Sequence, residues 1–91
     1  MELAEYLKVE RGRMARVAAV VGIAPAYLSQ IANWVRPCPA ERGADLERAC
    51  AMQVRRWDLR PDDWYRIWPE LIDVEGAPSV PADRLVPHEA A

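Results

Sequence analysis

Apolar residues recur at helical spacing in two short segments on either side of Gly22. The positions that would face one another across the turn are Val17, Ala18, Val21, Leu28 and Ile31. Gly22 can adopt the positive φ that a tight turn requires, and Ala18 is small where two crossing helices leave little room. The pattern over residues 14–33 therefore predicts a helix-turn-helix unit, a motif whose second helix usually enters the major groove of DNA.

The pattern also predicts helices before and after this unit. Residues 2–10 form an amphipathic segment that ends near Gly12. Pro39 suits the first turn of another helix, which Gly43 weakens by roughly 1 kcal/mol relative to alanine. Residues 54–59 are short and are predicted to be extended.

The last predicted helix begins at a proline followed by two carboxylates, at residues 61–63. It carries Trp64 and Trp68 and is expected to end or bend at Pro69. From Asp73 onward the chain is rich in proline, alanine and acidic residues, which predicts a flexible or loosely packed tail. The expected fold is all-α, with about five helices.

Composition narrows the class of protein. The 91 residues suit one small domain whose core is marginal unless it dimerises. No apolar run reaches about 18 residues and no charged-then-apolar start is present, so we expect a cytoplasmic protein that does not engage a membrane. If residues 39–50 are helical, Cys38 and Cys50 lie too far apart for a disulfide, and the single histidine, His88, argues against a zinc site.

The charges are unevenly divided along the chain. Residues 1–60 carry ten Lys/Arg and seven Asp/Glu, a net +3, whereas residues 61–91 carry two Arg and seven Asp/Glu, a net −5. The basic excess therefore accompanies the helix-turn-helix unit. An ordinary solvated surface explains the asymmetry equally well.

The sequence contains no set of residues that is typical of an enzyme active site. Serine occurs only at Ser29 and Ser79, threonine is absent, and His88 stands alone in the tail. Asp62 and Asp63 are explained by a helix start rather than by a metal site, and no glycine-rich phosphate loop is present. We expect no enzyme activity, no cofactor and no bound metal.

Several motifs together resemble a known group of proteins. LAEYL near the start, the 14–33 unit, LERA at 46–49 and, most specifically, RRWDLRPDDWYRIWPEL at 55–71 are similar to Cro/CI-type regulators of the YdaS family. The resemblance implies a lambda-repressor-like helix-turn-helix bundle over residues 1–72, followed by an acidic, proline-rich tail over 73–91. It implies a prophage Cro-like repressor or the antitoxin of a toxin–antitoxin pair.

The chain departs from that group at two turns. Trp34 and Val35 stand where such proteins usually have a glycine and then a lysine or arginine. We therefore expect the second helix of the unit to end differently, with Asn33 in the left-handed conformation. Met52 and Gln53 replace a glycine-rich turn after LERA.

The resemblance also implies which residues would meet DNA bases, from the start and the outward face of the second helix of the unit. These positions are Ala24, Pro25, Ala26, Ser29, Gln30 and Asn33. A carboxamide both donates and accepts, so Gln30 and Asn33 can pair bidentately with adenine. The alternative is that both amides only solvate an exposed face, with Asn33 capping the helix.

Phosphate contacts would come from arginines beside that helix, because it carries no lysine or arginine of its own. The candidates are Arg13, Arg16 and Arg36, and the alternative for each is a local surface ion pair. So few contacts per chain favour binding as a homodimer to two half-sites.

The tryptophans admit two interpretations. Trp57, Trp64 and Trp68 either complete the core of the bundle or form a dimer interface, where aromatic anchors dominate binding energy. Trp34 lies beside the second helix and is expected to be partly exposed. It would pack on a DNA sugar, on a protein partner or on its own loop.

Two functions are consistent with these features. The first is sequence-specific binding to a double-stranded DNA operator by a phage-type repressor that controls its own operon. The second is a protein-interaction module on a helix-turn-helix scaffold, which binds a toxin or a host protein. The helix-turn-helix spacing favours the first, and the acidic pI near 5.3 favours the second.

Overall fold

Amphipathic helices bury their apolar faces against one another over residues 1–80, as the sequence predicts. The computed structural model describes residues 1–80, and every regular element in that range is helical. The α-helices are α1 (Leu3–Lys8), α2 (Arg13–Val21), α3 (Pro25–Ala32), α4 (Gly43–Ala49), α5 (Arg56–Leu59) and α6 (Trp64–Ile67). Short 3-10 turns, Ala40–Arg42 and Pro69–Leu71, precede α4 and follow α6.

Helices α1 to α4 share one apolar core, which we call the helical core. Its buried members are Leu3, Tyr6, Leu7, Val17, Ala18, Val21, Leu28, Ile31, Ala32, Cys38, Leu46, Cys50, Val54 and Leu59. Leu28 and Leu46 are fully buried at its centre, which is why α3 is fixed firmly against α2 and α4.

Helices α2 and α3 meet at the predicted turn. Gly22 has φ +86° and donates its backbone N–H to the Ala18 carbonyl at 2.8 Å, and Ile23 donates to the same carbonyl at 3.0 Å. The two helices are bent by 106° relative to each other across the three-residue turn. That angle and turn length are those of a helix-turn-helix unit.

None of the helices in residues 1–80 is by itself long and apolar enough to cross a membrane. Helices α2 and α3 together meet that test by length and composition, but they form a bent pair.

A second apolar cluster, the tryptophan cluster, is formed by residues between 57 and 71. Its buried members are Trp57, Trp64, Tyr65, Trp68 and Leu71. The rings of Trp57 and Trp64 meet edge to face, with centroids 5.7 Å apart, an arrangement that aromatic quadrupoles favour.

A buried carboxylate joins the two clusters. Glu47 on α4 is only 2% exposed, and its side chain accepts from Arg55 Nε at 2.6 Å, Arg56 Nε at 3.2 Å and the Arg56 backbone N–H at 3.2 Å. The Arg55 guanidinium lies over the Trp57 ring at 4.5 Å, and that of Arg56 lies over Trp68 at 5.5 Å. Glu47 therefore positions both arginines, and the arginines position the rings.

Two sequence predictions in this region are wrong. Residues 54–59 are not extended, because Arg56–Leu59 forms α5, whose start is fixed by Glu47 and by a hydrogen bond from the Arg55 backbone N–H to Asp58 Oδ2 at 2.9 Å. The last helix begins at Trp64 rather than near residue 61, because the Asp63 carboxylate binds Arg60 instead of capping the helix.

The start of the predicted tail packs against the tryptophan cluster. Val74, Ala77 and Val80 are partly buried on it. Residues 81–91, including His88, lie outside the described residues. The predicted tail over 73–91 thus begins with a packed segment.

We predict that Glu47→Gln lowers the free energy of unfolding by roughly 3 kcal/mol. The glutamine NH₂ group would face the guanidinium donors of Arg55 and Arg56, and the two half-buried arginines would lose the negative charge that pairs with them. The matched control is Asp45→Asn on the same helix, whose ion pair with Arg48 is exposed, with an expected loss below about 1 kcal/mol. Urea denaturation followed by circular dichroism measures both. Equal losses in the two variants would contradict the role given to Glu47.

We predict that Gly43→Ala destabilises the protein by about 1–3 kcal/mol, although alanine favours helices. A Cβ at Gly43 would lie 2.5 Å from Trp68 Cζ2 and 2.6 Å from Cη2. Thermal denaturation measures the loss. In a Trp68→Phe background the smaller ring leaves room for the methyl group, so the same change should cost less, and strictly additive losses would refute the contact.

Candidate nucleic-acid interface

The predicted base-contacting residues lie at the start and on the outward side of α3. Ala24, Pro25 and Ala26 are exposed at its first turn. Ala24 ends the turn in an extended conformation, and Pro25 occupies the first helical position, where its missing N–H costs nothing. The small side chains at this end let the helix approach another surface closely.

Asn33 caps the far end of α3 through its side chain. Its Nδ2 donates to the Ser29 carbonyl at 2.9 Å and lies 3.4 Å from Ser29 Oγ. The structure therefore brings two of the predicted base-contacting residues together, and it retains the capping role that the sequence left as an alternative for Asn33.

The left-handed residue after α3 is Trp34, with φ +62°, whereas Asn33 has φ −100°. The prediction for Asn33 is wrong, because its side chain and backbone still bond to Ser29 and continue the helix. Trp34 N–H donates to the Ile31 carbonyl and Val35 N–H to the Gln30 carbonyl, which is a Schellman cap. Tryptophan in the position usually held by glycine costs about 1–2 kcal/mol.

The same departure recurs after α4. Ala51 and Met52 have φ +54° and +64°, and their backbone N–H groups donate to the carbonyls of Arg48 and Glu47. The chain thus makes the turn that glycine would favour, without a glycine.

Gln30 and Arg36 form a hydrogen-bonded pair beside the end of α3. Arg36 Nε donates to Gln30 Oε1 at 2.8 Å, and the Arg36 backbone N–H donates to the Gln30 carbonyl at 3.2 Å. The structure brings together one predicted base-contacting residue and one predicted phosphate-contacting residue.

The arginines at the start of α2 share a carboxylate. Arg13 Nη2 and Arg16 Nη2 lie 3.2 and 3.1 Å from Glu10 Oε1. The hydrogen bond from Arg16, followed by that from Arg13, lowers the pKa of Glu10, so its carboxyl stays ionised to lower pH than usual.

The two arginines differ in their access to solvent. The Arg13 side chain is 17% exposed, donates to the Tyr6 carbonyl at 2.9 Å and stacks 4.1 Å from the Tyr6 ring centroid. The Arg16 side chain is 57% exposed. Arg16 is therefore better placed than Arg13 to bind a phosphate, while Arg13 mainly ties α2 to α1.

An open groove of about 310 Å³ lies beside the loop after α3. Its walls are Trp34, the loop residues 36–38 and the segment 59–63. Trp34 is 53% exposed at one wall, Val35 next to it is 68% exposed, and Trp34 Nε1 lies 3.4 Å from Glu2 Oε1. Trp34 and Val35 directly follow Asn33, the residue that caps α3.

Sequence reasoning missed the residue that fixes this loop. Arg60 Nη1 donates to the Cys38 carbonyl at 2.6 Å, and its Nε and Nη2 donate to Asp63 at 3.0 and 2.8 Å. The only signal was the RRWDLRPDDW motif, which marked the residues without revealing their partners.

The ion pair also has a pH dependence. The Arg60 hydrogen bonds lower the pKa of Asp63, and Asp63 raises that of Arg60. Because a lowered folded-state pKa stabilises the fold above the unfolded pKa, this contribution is lost as the pH falls through the folded pKa of Asp63.

Trp57, Trp64 and Trp68 are between 2% and 9% exposed, so their surface is already buried within one chain. This burial agrees with the core alternative. Cys38 and Cys50 are both free and buried, and burial raises the pKa of each thiol to about 11. Residues 1–80 contain no cluster of His, Cys, Asp and Glu that could hold a metal ion.

We predict that Glu10→Gln strengthens non-specific DNA binding severalfold and steepens the dependence of log K on log salt by about 0.9, because it frees Arg16 to neutralise a phosphate. Fluorescence anisotropy with a labelled random duplex, titrated across salt concentrations, measures both quantities. Glu70→Gln makes the same charge change on the turn after α6 and serves as the control. Equal effects from the two variants would rule out a specific role for Glu10.

Comparison with known proteins adds one match. The family model described as bacterial toxin YdaS matches residues 2–67, well over half of the chain, and includes every predicted base- and phosphate-contacting residue. No curated protein matches the chain.

Proposed function

This chain belongs to the YdaS family, and on that premise we propose that it is a sequence-specific regulator that binds double-stranded DNA. The family match makes it a protein of the toxin–antitoxin or helix-turn-helix kind. The observation that carries the finer proposal is the 106° pair of α2 and α3. The first turn of α3 exposes small residues, Gln30 is half-buried, and Asn33 is exposed at the C-cap.

In this proposal α3 enters the major groove and the arginines grip the backbone. Ala24, Pro25 and Ala26 allow close approach at the start of the helix, and Ser29, Gln30 and Asn33 contact base edges. Arg16 and Arg36 lie beyond the two ends of α3 in the sequence, and both are exposed. They would neutralise phosphates on either side of the groove, with a smaller part for Arg13.

Two chains would bind one operator. The proposed contacts of a single chain include few cations, so two half-sites bound together would supply the affinity that one lacks. Such a dimer placed over its own promoter would occlude the polymerase, the action of a Cro-like repressor of the prophage type. The function is binding rather than catalysis.

The second candidate function is binding to a protein partner in a toxin–antitoxin pair. The observation that favours it is the exposed Trp34–Val35 surface beside the groove of about 310 Å³. A tryptophan held in a left-handed conformation has a backbone cost, and a side chain that engages a partner would explain why it is there.

We predict that Gln30→Ala weakens binding to the DNA upstream of its own gene by roughly 1–3 kcal/mol and relaxes sequence preference. The matched control is Gln53→Ala, which removes the same carboxamide from an exposed turn after α4. Gel-shift titrations at several salt concentrations measure both variants against specific and random duplexes.

The same titrations separate the two candidate functions. Binding by the unaltered protein that favours the upstream DNA, and that Gln30→Ala alone weakens, supports the regulator. Equal affinity of the Gln30→Ala and unaltered proteins would refute a base contact by Gln30. No binding even at low salt would favour the protein-partner function.

A further inference from the structure

The hydrogen bond between Arg36 and Gln30 fixes the orientation of the Gln30 amide, because only one of the two side chains can be the donor. A guanidinium group can only donate hydrogen bonds, so the atom of Gln30 that lies 2.8 Å from Arg36 Nε must be the amide oxygen. The amide NH₂ group of Gln30 therefore points away from Arg36 Nε. Within residues 1–80 the terminal nitrogens of Arg36 make no hydrogen bond, and the side chain is exposed.

The backbone holds this pair in place. The Gln30 carbonyl accepts the N–H groups of Val35 at 2.9 Å and Arg36 at 3.2 Å, so the chain after α3 folds back onto Gln30. Arg36 therefore reaches the Gln30 amide from a fixed backbone position. Little conformational freedom remains to be lost when the pair binds a ligand.

The Asn33 amide has the opposite orientation, with its NH₂ group rather than its oxygen engaged in a hydrogen bond. Asn33 Nδ2 donates to the Ser29 carbonyl at 2.9 Å, and a carbonyl can only accept. The Asn33 oxygen is thus the atom left to face outward. One end of α3 presents donors at Gln30 and Arg36 and an acceptor at Asn33.

We propose that Gln30 and Arg36 act as one unit that selects guanine, an inference that rests on the proposed DNA-binding function. In the major groove guanine presents two acceptors, N7 and O6, whereas adenine presents the acceptor N7 and the donor N6 amino group. The Gln30 NH₂ and the Arg36 terminal nitrogens match the guanine edge. An adenine amino group would meet donors and a positive charge.

This inference gives Arg36 a role that differs from a phosphate contact. Removing a phosphate contact lowers the affinity for every DNA sequence and leaves the base preference unchanged. Removing Arg36 from the proposed unit would instead release the Gln30 oxygen. The freed carboxamide could then pair with adenine N6 and N7.

The test is selection of bound duplexes from a randomised pool by the full chain and by three variants. The unaltered protein should enrich guanine at one position of each half-site. Arg36→Ala should lower the guanine-to-adenine ratio at that position by roughly tenfold or more and leave the other positions unchanged. Arg16→Ala should weaken binding without changing any preference.

The variant Arg36→Lys separates the effect of the positive charge of Arg36 from the effect of its guanidinium geometry. Lysine keeps the positive charge but lacks the forked guanidinium, so the salt dependence of binding should persist while the guanine preference falls. Circular dichroism of each variant checks that it is folded. The lysine variant also supplies the decisive comparison if Arg36→Ala fails to fold.

The possible negative results separate an error in the guanine-selecting unit from an error in the proposed DNA-binding function. An unaltered base profile in Arg36→Ala and Arg36→Lys would overturn the guanine-selecting unit and leave DNA binding intact. Enrichment of adenine by the unaltered protein at the Gln30 position would do the same. If the unaltered protein selects no sequence even at low salt, the proposed function itself fails, and the inference fails with it.

Discussion

The buried carboxylate of Glu47 is the interaction on which the two halves of this protein depend. A buried anion is tolerated only when donors surround it, and here two guanidinium groups and a backbone N–H do so. Because Arg55 and Arg56 also lie over Trp57 and Trp68, the carboxylate links the helical core to the tryptophan cluster. The four-residue helix α5 begins at this bond.

That link extends to the surface beside α3. Arg60, at the end of α5, donates to the Cys38 carbonyl and so holds the loop that follows α3. The RRWDLRPDDW segment is thus a structural support for the exposed face rather than part of it. Helix α3 itself carries no lysine or arginine, and Arg36 reaches it because the loop after α3 folds back onto Gln30.

The sequence predicted best where local periodicity sets the structure. The turn at Gly22 and the inward positions such as Leu28 follow from helical spacing. It failed over residues 54–59 and at Asn33. A four-residue helix is too short for periodicity to identify, and the conformation at Trp34 depends on hydrogen bonds that close the helix end.

The sequence alone determined an all-helical fold and a helix-turn-helix unit, because a repeat of 3.6 residues assigns each side chain to a face. Which residues of α3 would meet DNA came from the resemblance to a known family. Only the tertiary structure decided what those residues touch. The pairing of Gln30 with Arg36, the two arginines on Glu10 and the Glu47 network each join different segments of the chain. These contacts are three to nine residues apart along the chain, and they depend on how the chain turns between helices, which helical spacing does not specify.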